Sequence, residues 1–158
     1  MTTDTTRRTE IETMEFRKEV EIDAPVEITF AAVLDELGPE ARMPDGKTLS
    51  LKVEPFPGGR WYRDLGNNAG HHWGHVQVIN PPTLIELCGP TAMSYPASNH
   101  IQYRLKAEGP RTRLSFVHRA MGLIPPEHRD GMPEGWVQWL NEIRDLAERR
   151  ARAGGKKN

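Results

Sequence analysis

GWVQWLNEIRDL, residues 135–146, spaces its apolar side chains along one helical face. Trp136, Trp139, Leu140, Ile143, Leu146 and Ala147 fall on that face, while Arg144, Asp145, Glu148 and Arg149 lie opposite or at its flanks. The period sets in at Pro133 and predicts a helix of roughly 20 residues, about 30 Å long. That is long enough to lie across a curved sheet, and the sequence upstream supplies the sheet.

Working outward, the other end of the chain carries EIDAPVEITFAAV, residues 21–33. Phe16, Val20 and Ile22 alternate with Arg17, Glu19 and Glu21, a half-buried strand in which Lys18 shares the apolar face near the open end. Asp23 ahead of Ala24-Pro25 suits a helix start, and Ile28, Ala31, Ala32 and Asp35 recur at helical spacing until Gly38-Pro39. Six strand-like runs stand between the two helices, at residues 49–53, 60–65, 71–79, 84–88, 99–108 and 113–119. Pro55 to Gly59, Gly66 to Gly70, Asn80-Pro81-Pro82 and Gly109-Pro110 turn the chain between them. Strands joined by short turns imply an antiparallel meander, and the class is α+β.

The 158 residues suit one domain, expected over residues 15–151 between flexible tails at 1–14 and 152–158. A net charge of −1, with bases and acids interspersed, leaves no electrostatic footprint for nucleic acid. No apolar run approaches the roughly 20 residues needed to span a bilayer, and the polar N-terminus lacks the apolar centre of a secretory signal. The single cysteine, Cys88, excludes an intrachain disulfide framework and fits a reducing compartment, so a cytoplasmic location without membrane association is expected.

Four stretches resemble, in the expected order, the START-related (SRPBCC) ligand-binding superfamily, whose helix-grip fold is shared with birch-pollen-allergen-like proteins. They are IDAPVEITFAAV at the first strand-to-helix step, PGGRW at residues 57–61, NPPTLIEL at residues 80–87 and GWVQWLNEIRDL. Within that superfamily the chain is similar to the branch containing the C-terminal domain of the heat-shock-chaperone ATPase activators. The resemblance implies a curved antiparallel sheet of six to seven strands wrapped around the C-terminal helix, short helices after the first strand, and a cavity between helix and sheet. Two features depart from the branch: EARMPDGKT stands where relatives often carry paired tryptophans, and no stretch matches the activators' separate N-terminal domain.

Alternation along each strand, with the register the resemblance favours, nominates the cavity wall. Trp61 and Arg63 share one side of the third strand, and Trp73, His75 and Gln77 one side of the fourth. Tyr103 comes from the sixth strand, Phe116 and His118 from the seventh, and Trp136 and Leu140 from the closing helix. Arg63, His75, Gln77 and His118 are polar where relatives usually place apolar residues. Either they form the polar end of an amphipathic cavity that orients a carboxylate, or they sit in water at its mouth or bond Asp64 or Glu86 structurally. The four tryptophans admit both core packing and stacking against a ligand.

His71-His72-Trp73-Gly74-His75 does not make a metal site on a regular strand, because His71 and His75 would stand about 13 Å apart. No nucleophile motif or phosphate loop is present, and no metal or cofactor is expected. The function expected is binding or carrying of a small hydrophobic or amphipathic molecule. Two alternatives stay open: a cyclase- or hydrolase-type enzyme using His75 or His118 with Arg63, and a chaperone- or regulator-associated interaction module. Edge strands of an open sheet permit a homodimer.

Overall fold

The computed structural model describes residues 3–155. Its elements are β1 (Glu12–Ile22), α1 (Val26–Glu36), β2 (Leu51–Val53), β3 (Arg60–Gly66), β4 (Ala69–Asn80), β5 (Leu84–Gly89), β6 (Ala97–Glu108), β7 (Arg111–Gly122) and α2 (Pro126–Gly155). The strands form one antiparallel sheet of seven in the order β1-β7-β6-β5-β4-β3-β2. From β2 to β7 the chain meanders, and β1 closes the far edge by pairing with β7 from Glu12↔Gly122 to Ile22↔Thr112. The β3–β4 connection turns at Asn67 and Asn68, whose φ of 52° and 61° are the left-handed pair a two-residue hairpin turn requires. This is the expected helix-grip architecture.

Boundaries differ from the sequence reading at both ends. β1 begins at Glu12 rather than residue 15, and Arg129 on α2 donates to the Glu12 carboxylate at 3.0 Å. α2 begins at Pro126 rather than Pro133 and continues to Gly155, so residues 152–155 of the expected tail are helical. Its first turns escape periodicity because Gly131, Pro133 and Gly135 are poor helix formers. Residues 1–2 and 156–158 of the expected tails lie outside the described residues.

α1 also differs in detail. Its N-cap is Pro25, with no side-chain cap, and Asp23 instead gives its backbone N–H to the Glu148 carboxylate at 3.3 Å. The buried face is Thr29, Phe30, Ala32, Val33 and Glu36, whereas Ala31 is exposed. VEITFAAVLDE is apolar on most sides, so its own pattern does not choose a face; docking on α2 and the sheet does. One helix and a turn at residues 37–40 follow β1, in place of several short helices.

The core lies between the concave face of the sheet and the inner face of α2. Ile22, Ile85, Leu87, Ile101, Tyr103, Leu114 and Phe116 come from the sheet, and Leu140, Ile143 and Ala147 from the helix. Thr112 donates its hydroxyl to the Ala24 carbonyl at 2.8 Å, satisfying buried polar groups where β7 meets the start of α1. Among the described residues no helix is long and apolar enough to cross a membrane.

Candidate functional site

Two irregularities in β4 decide what faces the cavity. Trp61 pairs with Gly74 while Tyr62 pairs with His72, so Trp73 is an extra residue on β4. Val76 then pairs with Leu87 while Val78 pairs with Glu86, which makes Gln77 a second extra residue. Each bulge shifts the alternation by one. Trp73 and Val76 are therefore buried, while His75 and Gln77 are exposed on the convex face, contrary to their expected place in the cavity. His75 there lies against His72, with ring centroids 4.7 Å apart.

The backbone makes the first bulge possible. A Cβ on Gly74 would stand 2.2 Å from the Cys88 carbonyl oxygen, and one on Gly89 would stand 2.4 Å from the Gly74 Cα. Only glycine at both positions lets β4 and β5 approach this closely. The Trp73 carbonyl accepts the Thr91 N–H at 2.8 Å, tying the segment after β5 to the bulge.

Trp61, Trp73, Trp136 and Trp139 form one wall system around a cavity of about 440 Å³. Trp61 and Trp73 meet edge to face at 5.1 Å, and Trp136 and Trp139 lie 5.8 Å apart. Thr91 and Met93 close one side, and His128 and Met132 on the first turns of α2 close another. Tyr95 and His128 are hydrogen-bonded through the phenol oxygen and Nδ1, joining these two sides at the rim. A second lobe of about 380 Å³ shares Trp73, Ala92, Gly135 and Trp139 with the first and is lined further by Arg63, His71 and Leu49. Such volumes are typical of small-molecule pockets.

The polar groups divide into satisfied and orphaned ones. Trp61 donates its indole N–H to the Leu37 carbonyl at 2.8 Å. Arg63 is half-buried and uses Nε on the Leu49 carbonyl at 2.9 Å, where the strand turns its guanidinium toward the second lobe. Trp73 and Trp139 have buried indole nitrogens with no hydrogen-bond partner among the described residues. Both belong to the wall shared by the two lobes. A buried N–H without an acceptor costs about 1–3 kcal/mol.

His118 is 1 % exposed and fully bonded. Trp136 donates its indole N–H to Nδ1 at 2.9 Å, and Nε2 lies 2.7 Å from the Asn99 Oδ1. The amide nitrogen of Asn99 donates to the Gly89 and Pro90 carbonyls at 3.1 and 3.2 Å, which fixes the amide's orientation. An indole only donates and an amide oxygen only accepts, so the imidazole is neutral with its proton on Nε2. Burial, with a smaller contribution from nearby His128, pushes its pKa down to about 4.

Of the residues nominated from sequence, Trp61, Trp73, His118 and Trp136 line the first lobe and Arg63 the second. Tyr103, Phe116 and Leu140 point inward but stand behind the wall, where Phe116 packs 4.7 Å from Trp136 and 5.1 Å from Tyr103. Sequence reasoning missed Thr91, Met93, His128 and Met132, which lie in an aperiodic segment and in helix turns that periodicity did not reveal. Among the described residues no three His, Cys, Asp or Glu side chains converge as a metal site.

The sequence profile of the family described as activator of Hsp90 ATPase homolog 1-like protein matches residues 23–148, and the chain belongs to that family. Among curated protein sequences none gives a significant match. An uncharacterised protein from Rhizobium leguminosarum superposes with a TM-score of 0.69 at 19 % identity, covering 89 % of this chain and 97 % of its own. The ZhuI aromatase/cyclase from Streptomyces sp. R1128 superposes at 0.67 and 20 % identity, covering 91 % and 99 %. CalU16 from Micromonospora echinospora does so at 0.55 and 19 %, covering 92 % and 96 %. At these identities the likeness is one of fold.

Proposed function

We propose that the protein binds a small amphipathic molecule with a flat aromatic body and a hydrogen-bond-accepting, anionic end. The aromatic body lies among Trp61, Trp73, Trp136 and Trp139, and its acceptor end meets the Trp73 and Trp139 N–H groups and the Arg63 guanidinium. The single observation that carries this reading is the pair of orphaned indole N–H groups on the wall shared by the two lobes. Aromatic walls favour offset or edge contact with a planar guest. A guanidinium that spends only Nε on the protein keeps further donors for a carboxylate.

Binding is preferred to catalysis because the two acid–base candidates do not serve it. His75 faces solvent on the convex side, and both nitrogens of His118 are engaged by Trp136 and Asn99. The relation to an aromatase/cyclase supports an aromatic guest and no more than that. A thermal-shift screen of fatty acids, flavonoids and aromatic polyketides tests the reading. Stabilisation by planar aromatic acids above fatty acids of equal size is the expected result; no stabilisation by any of the three classes would refute it.

A further inference from the structure

A second cleft, of about 550 Å³, lies between the end of α1 and the later turns of α2. It adjoins the Arg63 lobe through Arg42 and Glu142 but shares no residue with the tryptophan cavity. At its base stands Glu36, only 5 % exposed. One carboxylate oxygen, Oε2, is sealed and has no hydrogen-bond partner among the described residues. The Tyr103 hydroxyl on β6 is also buried and unpartnered, but Tyr103 does not line the cleft. Glu36 thus lines the cleft with a buried carboxylate that has no donor on Oε2.

The surroundings are asymmetric in charge. Glu142 and Glu40 both act on Glu36 and, after burial itself, raise its pKa to about 7. Arg42 and Arg149 oppose them more weakly. Of the other acidic groups on the α2 side, Asp145 lies 3.8 Å from Arg144, and Glu148 accepts the Asp23 N–H. Arg152 lines the outer part of the cleft. Arg150 is paired with Asp35 at 2.7 Å and does not line the cleft.

We propose that this cleft binds the primary ammonium group of a small organic amine, with ionised Glu36 as its charged partner and Glu142 as a further acceptor. An ammonium is compact and carries three donors, which suits carboxylates supplied from both helices, Glu36 on α1 and Glu142 on α2. A metal ion is a poorer match, because no three carboxylates or imidazoles converge here among the described residues. A buried carboxylate must be paired or protonated, and the amine replaces the proton. Binding therefore strengthens as Glu36 loses its proton.

Calorimetric titration of the full-length protein with 1,4-diaminobutane at pH 6 and pH 8 tests this. Between those values the ionised fraction of a group titrating near 7 rises about tenfold, and affinity should rise by the same factor. Glu36→Gln, verified as folded by circular dichroism, should abolish binding, and Glu142→Gln should weaken it several-fold even if the first variant does not fold. The tryptophan-cavity reading is tested separately, since Glu36 lines neither of its lobes and Glu36→Gln should leave binding of an aromatic acid unchanged. Absence of binding to the wild-type protein at millimolar diamine, affinity equal at both pH values, or binding that survives both substitutions would overturn the proposal.

Discussion

The indole N–H of Trp136 donates to Nδ1 of His118 at 2.9 Å, and this bond joins the closing helix to the last strand inside the core. It continues through Nε2 to Asn99 and from there to the Gly89 and Pro90 carbonyls, so helix, sheet and cavity rim share one polar chain. Such a chain holds only while the imidazole stays neutral, because a proton on Nδ1 would face the indole N–H.

The pH dependence follows from the sign of that shift. His118 titrates near 4 when folded against an ordinary 6.5, so the unfolded chain takes up its proton first as the pH falls. Its contribution is complete above about pH 6.5 and is lost progressively toward pH 4, a change on the order of 3 kcal/mol. Glu36 acts with the opposite sign: its raised pKa contributes stability at low pH that is lost as the pH rises through about 7. The two are separated by difference. Urea unfolding at pH 7.5 and 4.5 should show wild type losing more stability than His118→Gln, and equal losses would mean that His118 is not held neutral.

Leu140 is 1 % exposed on the face of α2 that meets the sheet. Leu140→Asp should unfold the domain, since an unpaired buried carboxylate costs several kcal/mol against a whole stability of about 5–15 kcal/mol. Leu140→Ala should cost about 2–5 kcal/mol and leave a cooperative transition. Circular dichroism melts distinguish the two, and a Leu140→Asp protein near wild-type stability would place the helix face wrongly.

Gly74→Ala brings a methyl group within 2.2 Å of the Cys88 carbonyl oxygen. Backbone must move, and a loss of about 1–3 kcal/mol is expected together with a shift in tryptophan emission as Trp73 leaves its place. Gly131→Ala meets nothing within 4 Å and should stabilise α2 by about 0.5–1 kcal/mol. Denaturant midpoints for the pair check the contrast.

How much was legible in sequence varies along the chain in ways that have causes. The closing helix and the β6 and β7 faces were readable because period and burial coincide: Ile101, Tyr103 and Leu105, and Leu114, Phe116 and His118, are all buried. β4 was readable at Trp73 and Ile79, which turn inward, and misread between them. Trp73 and Gln77 are each inserted opposite a single partner step, and period-two reasoning cannot see a bulge. Glu36 carried no signal at all, since a glutamate at the end of a short helix looks solvated until a second helix covers it.

Position on β4 and β3 also separates the nominated polar residues. Arg63→Ala should leave folding intact, because the side chain is half-buried and spends one donor on a carbonyl, while weakening an anionic guest. His75→Ala and Gln77→Ala, on the convex face, should change neither stability beyond about 0.5 kcal/mol nor binding. Melting curves with and without an aromatic acid decide all three.

The central claim is that the tryptophan cavity takes an aromatic body with its anionic end at Arg63. Its most direct test is titration of intrinsic tryptophan fluorescence with 2-naphthoic acid and with its methyl ester, in wild type and Arg63→Ala. Saturable quenching by the acid is predicted, with affinity falling roughly ten- to a hundredfold on loss of Arg63 or of the charge, the equivalent of one charge-assisted hydrogen bond of about 1.5–3 kcal/mol. Quenching that fails to saturate in the folded wild-type protein, or an affinity unchanged by Arg63→Ala, would contradict it.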